Sequence, residues 1–111
     1  MAETQYEVLL TEGAERDLES IYDYIAEIDC KAHADLILDR FMEIVGTLTS
    51  FPERGVHPKE LAALGIQEYR QVFFKTYRVI YRVMEQNVYI YVIADGRREM
   101  QALLARRLLQ A

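Results

Sequence analysis

The sequence predicts an α+β fold in which an N-terminal strand and a helical hairpin pack on a small, mostly antiparallel sheet, followed by a C-terminal helix. Three observations predict this class. Apolar residues in the first half recur at three- and four-residue steps, the second half contains three runs rich in Tyr, Val, Ile and Phe, and the last residues return to helical spacing. A length of 111 residues suits one core, so we expect residues 1–111 to form a single domain.

The first half is predicted to contain one strand and two helices. An apolar run at residues 6–10 is typical of a first or edge strand, and Thr11 is a suitable N-cap for a helix that follows it. Two amphipathic stripes come next, separated only by residues 29–31. The stripes consist of Ala14, Leu18, Ile21, Tyr22, Ile25 and Ile28, and then of Ala34, Ile37, Leu38, Phe41, Ile44, Val45 and Leu48. So short a break between two such helices predicts a helical hairpin.

The second half is predicted to form three strands and a final helix. Proline and glycine in residues 51–55 end the second helix, and a connecting segment at residues 57–65 has room for one short helical turn. The strands are predicted at residues 69–74, 77–83 and 88–94, with a hairpin loop at residues 85–87. Residues 88–93 are apolar or aromatic throughout, which indicates a central strand covered on both faces. After the Asp95-Gly96 turn, Arg97 and Arg98 are expected to open the last helix.

The composition is that of an ordered protein with an uneven charge distribution. Hydrophobic residues make up 51% of the chain and charged residues 28%, and the net charge of −5 argues against a protein that coats nucleic acid. Residues 1–50 hold twelve of the eighteen acidic side chains and three of the thirteen basic ones. This asymmetry predicts an acidic and a basic side, although solvation of two helices also explains the acidic half.

Targeting and cofactor signals are not found in the sequence. The single cysteine, Cys30, cannot form an internal disulfide, and no histidine is spaced to bind a metal with it. The N-terminus lacks the basic region of a signal peptide, and no apolar stretch approaches the roughly 20 residues that cross a bilayer. We therefore expect a cytoplasmic protein with no cofactor, no metal and no membrane partner.

Four segments resemble the RelE/ParE family of toxins, in the family's own order and over nearly the whole chain. They are Phe51-Pro52-Glu53-Arg54-Gly55, Glu68-Tyr69-Arg70, the block from Phe74 to Val83, and Ile93-Ala94-Asp95-Gly96-Arg97-Arg98 before the leucine-rich end. The strongest part is Tyr-Arg-Val-Ile-Tyr at residues 77–81 together with the Gly-Arg-Arg turn. Thr76 stands where similar members usually have proline. This difference lies at the start of a predicted strand and affects no functional side chain. The resemblance implies a RelE/ParE-like fold and the toxin of a type II toxin-antitoxin system.

The resemblance also implies a protein partner. Toxins of this family are silenced by a cognate antitoxin, whose C-terminal segment wraps over the toxin. A large wrapped surface needs exposed apolar side chains, which we expect on the helical hairpin and the edge strands. The candidate antitoxin-binding residues are Leu18, Tyr22, Ile25 and Phe41.

The family divides by target, and the chemistry of RNA cleavage separates its two branches. RelE-like members cleave messenger RNA in the ribosomal A site, whereas ParE-like members bind and poison DNA gyrase without being enzymes. By resemblance, Arg78 and Arg98 match two catalytic arginines of the nucleases. The nucleases' lysine pair falls approximately on Tyr69 and Gln71, and their last-helix tyrosine falls on Leu104. Leucine cannot transfer a proton, so the acid and base that cleavage requires are missing at these positions.

Two further observations favour the ParE-like branch. His33 and His57 lie far in sequence from the strand of Arg78, and a lone histidine is more often a polar surface residue than a catalyst. A net charge of −5 would slow the approach to the phosphates of the ribosome, whereas binding to gyrase carries no such cost. We predict a non-enzymatic gyrase poison, with a ribosome-dependent mRNA endoribonuclease that uses Arg78 and Arg98 as the alternative.

The basic residues of the second half supply the candidate contacts with the target. These are Arg70, Arg78, Arg82, Arg97 and Arg98. The alternative for Arg70, Arg78 and Arg82 is pairing with surface carboxylates such as Glu68 or Glu85. Arg106 and Arg107 need no functional explanation, because positive charge is favourable near the end of a helix.

Overall fold

A four-stranded mixed sheet with helices on both faces forms the described part of the chain, residues 5–109 of a computed structural model. Its elements are β1 (Glu7–Leu10), α1 (Glu12–Ile28), α2 (Lys31–Ser50), α3 (Lys59–Ala62), β2 (Tyr69–Phe74), β3 (Tyr77–Met84), β4 (Asn87–Asp95) and α4 (Met100–Leu104), the last continued by a wider π-type helical segment, Ala105–Leu109. The predicted α+β class is confirmed. Across residues 5–109, no helix has the length and apolar character needed to cross a membrane.

The helical hairpin begins at the predicted cap. The Thr11 hydroxyl oxygen accepts a hydrogen bond from the Ala14 amide at 3.2 Å, and the hydroxyl donates to the Ile90 carbonyl at 3.0 Å. Thr11 thereby fixes the start of α1 to β4. The helix ends at Ile28, with Asp29 as its C-cap, whose amide donates to the Ile25 carbonyl, and α2 begins two residues after this cap. The two helices pack side by side, as the short break predicts.

The sheet has the order β1-β4-β3-β2, which places β4 inside it as predicted. Strand β1 runs parallel to β4, and the two remaining pairs are antiparallel. The turns between β2 and β3 and between β3 and β4 contain two residues each, because Phe74 pairs with Tyr77 and Met84 with Asn87. Lys75 and Glu85, the first residue of each turn, adopt positive φ angles of 51° and 58°. The second loop is thus one residue shorter than predicted.

Apolar side chains cover both faces of the sheet. One cluster lies under α1 and α2 and includes Phe41, Tyr81 and Ile90, each fully buried. The second lies under α3 and α4 and includes Leu61 and Leu104. Strand β4 contributes to both clusters, which is the physical reason for its continuous apolar run.

The final helix starts later than the sequence suggests. Its N-cap is Glu99, whose carboxylate accepts a hydrogen bond from the Ala102 amide at 2.8 Å. Arg97 and Arg98 therefore lie in the turn before α4, and the expectation that they open the helix is wrong. The Glu99 carboxylate satisfies an otherwise free amide at the helix start, which neither arginine could do.

Candidate functional site

The loop of residues 51–55, part of the family resemblance, is fastened to the sheet by Tyr81. The Tyr81 hydroxyl donates to the Pro52 carbonyl at 2.7 Å and accepts from the Gly55 amide at 3.0 Å. A Cβ atom at Gly55 would lie 2.5 Å from the Tyr81 oxygen and 2.7 Å from the Gln71 carbonyl oxygen. Burial raises the pKa of Tyr81, which keeps the phenol neutral and able to donate. The tyrosine that ends Tyr-Arg-Val-Ile-Tyr thus holds the glycine that ends the loop.

Arg70 fastens the same loop from β2. Its guanidinium donates to the carbonyl oxygens of Gly55 at 2.8 Å and Glu53 at 3.3 Å. The carboxylates of Glu68 and Glu85, suggested as partners for this arginine, form no ion pair with it in the described residues. In the free protein, Arg70 therefore orders the backbone of the loop.

Arg78 is buried and bound on three sides. Its Nε donates to Gln71 Oε1 at 2.7 Å, and its two terminal nitrogens donate to the two carboxylate oxygens of Glu60 at 2.9 and 2.8 Å. The side chains are 8% and 12% exposed. Hydrogen bonding from Arg78 holds the pKa of Glu60 below its ordinary value. A Cβ atom at Gly96 would lie 3.1 Å from Arg78 Cδ, so this glycine leaves room for the arginine stem.

A cleft, here called the Arg78 cleft, lies over this ion pair. It is lined by His57, Lys59, Gln71, Phe73, Arg78 and Gly96. His57 Nδ1 lies 3.1 Å from the Tyr69 carbonyl oxygen, which can only accept, so Nδ1 is the donor of this hydrogen bond. Although His57 lies far in sequence from Arg78, the segment before β2 folds back beside that strand and brings His57 into the same cleft. His33 lies elsewhere and pairs with Asp29 at 2.5 Å.

The positions that matched nuclease residues do not form a proton-transfer set. Leu104 is fully buried, and Tyr69 is 9% exposed and packs edge-on against Tyr91. Gln71 is 8% exposed and engaged by Arg78. Arg82, on the same face of β3 as Arg78, lies 5.9 Å over the ring of Tyr69, a cation–π contact.

A second cleft, here called the Arg98 cleft, lies between α1 and the adjacent ends of β3 and β4. It is lined by Asp17, Ser20, Ile21, Tyr24, Tyr77, Ile93, Ala94, Asp95 and Arg98. Tyr77 packs against the core under α1 and α2, whereas its neighbour Arg78 reaches α3. The two clefts thus lie on opposite faces of the sheet, and Arg78 and Arg98 line different clefts.

The two carboxylates of the Arg98 cleft are already paired. Asp17 accepts two hydrogen bonds from Arg107, both at 3.0 Å, and one from the Ile93 amide at 2.9 Å. Asp95 accepts from Arg97, with a shortest distance of 2.6 Å, and this contact lowers the pKa of Asp95. Each acid is therefore neutralised by an arginine.

The expected antitoxin-binding residues divide into two pairs. Leu18 and Tyr22 are partly exposed and line a shallow apolar groove between α1 and α2, together with Leu38 and the glutamates at positions 15 and 19. Ile25 and Phe41 are 6% and 0% exposed, because their positions on the two helices face the sheet. This corrects the expectation that such residues present an exposed apolar surface.

Comparisons with known proteins agree with this fold. A family model described as the ParE toxin of the type II toxin-antitoxin system parDE matches residues 8–100. The chain is similar to a solved structure of the chromosomal ParDE system from P. aeruginosa, with 20% identity, a TM-score of 0.69, and 84% of this chain and 98% of that chain covered. It is also similar to the RelBE2 toxin-antitoxin complex from Mycobacterium tuberculosis, with 22% identity, a TM-score of 0.62, and coverages of 85% and 94%. No curated protein matches. The predicted RelE/ParE-like fold is confirmed.

Proposed function

Since the chain belongs to the ParE toxin family of type II toxin-antitoxin systems, we propose that it arrests growth by binding DNA gyrase, without catalysing a reaction itself. One observation supports this proposal over a nuclease. Arg78 and Arg98, the arginines that match nuclease positions, line clefts on opposite faces of the sheet. Arg78 is also neutralised by the two oxygens of Glu60. Cleavage of RNA requires cations free to stabilise the developing phosphorane, together with a proton donor and acceptor beside them.

The first prediction distinguishes the two targets. Purified toxin is expected to inhibit supercoiling by gyrase and to trap cleaved DNA in the presence of ATP, and to leave a translated message intact when added to translating ribosomes. The two reactions would be measured on the same preparation, with antitoxin-saturated toxin as the inactive control. Cleavage of the message in the A site, with gyrase unaffected, would overturn the gyrase proposal.

The ribosome-dependent endoribonuclease is the second candidate, and His57 is the observation that favours it. The Nδ1 atom of this histidine is engaged with the Tyr69 carbonyl oxygen, and the residue lines the Arg78 cleft beside Lys59 and the exposed ring of Phe73. A base, a cation and an aromatic ring are elements of an RNA-cleaving site. If messages are cleaved in the ribosome assay, loss of cleavage in His57→Ala would assign the base.

We further propose that a cognate antitoxin covers the groove between α1 and α2. The two solved structures similar to this chain come from toxin-antitoxin systems. Leu18, Tyr22 and Leu38 form the apolar floor of the groove. Such a groove suits the apolar face of an amphipathic helix. Glu15 and Glu19 on its rim would favour basic side chains on that helix.

The second prediction tests the antitoxin groove. Leu18→Asp is expected to weaken antitoxin binding by about tenfold or more, because it places a charge in the apolar contact. Toxicity without antitoxin should be retained. Asp23→Ala, a change at an exposed position of the same helix, is the control and should bind normally. Calorimetric titration measures the affinities, and equal binding by Leu18→Asp and wild type would place the antitoxin elsewhere.

A further inference from the structure

The Arg98 cleft has a local charge opposite in sign to that of the whole chain. The chain carries a net charge of −5, yet both acids of this cleft are paired with arginines, Asp17 with Arg107 and Asp95 with Arg97. Arg98 has no carboxylate within ion-pairing distance among residues 5–109. Its guanidinium is therefore the charge that the cleft offers to a partner.

Two tyrosines, Tyr24 and Tyr77, line the same cleft as this arginine. Tyr24 is 62% exposed on α1, and Tyr77 is half-buried and stacks on Phe74 with ring centroids 5.2 Å apart. Tyrosine and arginine are among the residue types that contribute most to protein–protein binding, and this cleft presents an exposed tyrosine together with an arginine that has no ion-pair partner in the described residues. Both side chains present an apolar ring and a polar hydroxyl, which suits a partner segment that is both charged and apolar.

From these observations we infer that the Arg98 cleft binds an acidic segment of the target protein, with Arg98 pairing with a carboxylate and the rings of Tyr24 and Tyr77 packing on its apolar part. The inference rests on the proposed function, in which the target is gyrase. It adds the chemistry of the contact and two residues, Tyr24 and Tyr77, that were not among the expected target-binding residues.

A carboxylate fits this cleft better than the backbone of a nucleic acid. A planar guanidinium can hold one carboxylate through two parallel hydrogen bonds. A phosphate backbone carries many charges in a row, and α1 beside the cleft presents exposed acids such as Asp23 and Glu27. These acids would repel a continuous line of phosphates while leaving a single carboxylate at Arg98 favourable.

The third prediction tests the cleft with purified gyrase holoenzyme as the probe. Arg98→Glu is expected to weaken gyrase binding by about tenfold or more, and Tyr24→Ala by about five- to tenfold, because each removes a central contact. Arg106→Glu, with the same charge change at an exposed residue outside the cleft, should stay within about twofold of wild type. All three variants should keep wild-type antitoxin affinity and a melting temperature within about 2 °C, since the altered side chains are exposed. Surface plasmon resonance gives the affinities.

The possible outcomes separate the inference from the function on which it rests. If wild-type toxin does not bind gyrase, the proposed target is wrong. If wild type binds and Arg98→Glu binds equally well, gyrase remains the target and the inference about the cleft is overturned. Loss of binding when DNA is omitted, with tight binding of DNA alone that Arg98→Glu abolishes, would show that the cleft takes phosphate and would also overturn it.

Discussion

Arg78→Met is expected to lower the free energy of unfolding by about 3–5 kcal/mol, the usual effect of removing one partner from a buried ion pair. Methionine fills much of the arginine's volume but leaves the Glu60 carboxylate and the Gln71 amide oxygen without their donor. Urea unfolding followed by circular dichroism measures the change. Arg82→Met is the matched control, on the same face of the same strand, and should cost less than about 1 kcal/mol because only a cation–π contact is lost.

A second substitution identifies the cause of this loss. Glu60→Leu combined with Arg78→Met removes both charges, so the double variant is expected to regain part of the lost stability. If the single variant is as stable as wild type, the ion pair makes no net contribution. If the double variant is less stable than the single one, the uncompensated Glu60 charge is not the cause.

The pH dependence of stability provides an independent check on the same pair. The pKa of Glu60 is lowered from its ordinary value of 4.5 by the hydrogen bonds from Arg78. A lowered pKa means that the pair's contribution is fully present above about pH 4.5 and is lost as the pH falls through the folded-state value. Arg78→Met should therefore flatten this part of the curve of unfolding free energy against pH. An unchanged acid limb would mean that other carboxylates dominate it.

Asp17→Ala is expected to lower the free energy of unfolding by about 3 kcal/mol, because Arg107 loses its carboxylate partner and keeps only the Tyr91 carbonyl, and because the Ile93 amide loses its acceptor. Asp17 lies on α1 and Arg107 on the C-terminal helical segment, so the substitution also releases that segment from the first helix. A Cβ atom at Gly13 would lie 2.7 Å from Arg107 Nη2, which shows how closely the arginine crosses α1.

Amide hydrogen exchange and unfolding measurements on the same variants would test the contact between Asp17 and Arg107. We expect faster exchange at the Ile93 amide and within residues 100–109 of Asp17→Ala, and normal exchange in Asp23→Ala, whose side chain is exposed on the same helix. Arg107→Ala should be destabilised and Arg106→Ala nearly unaffected. Equal stability of the two arginine variants would contradict a structural role for Arg107.

The sequence by itself determined most of the secondary structure and the family, although not the start of the last helix. Local signals suffice there: helical periodicity marks α1 and α2, Thr11 marks the start of α1, and the unbroken apolar run of β4 requires cover on both faces. All four segments of the family resemblance lie within residues 8–100, which the family model matches. The structure explains several residues of these segments. Tyr81 and Gly55 hold the loop of residues 51–55 on the sheet, and Gly96 leaves room for the side-chain stem of Arg78.

Only the tertiary structure decided which charges are available to a partner. Arg78 pairs with Glu60 across 18 positions and Arg107 with Asp17 across 90, and no periodicity in the sequence marks such pairs. The same applies to His57, which reaches the Arg78 cleft because the chain folds back before β2. A charged side chain is neutralised by whichever opposite charge folding brings within a few ångströms, since Coulomb attraction depends on distance in space. The sequence alone therefore identified candidate arginines. The fold showed that Arg78 and Arg107 form structural ion pairs, whereas Arg98 is exposed.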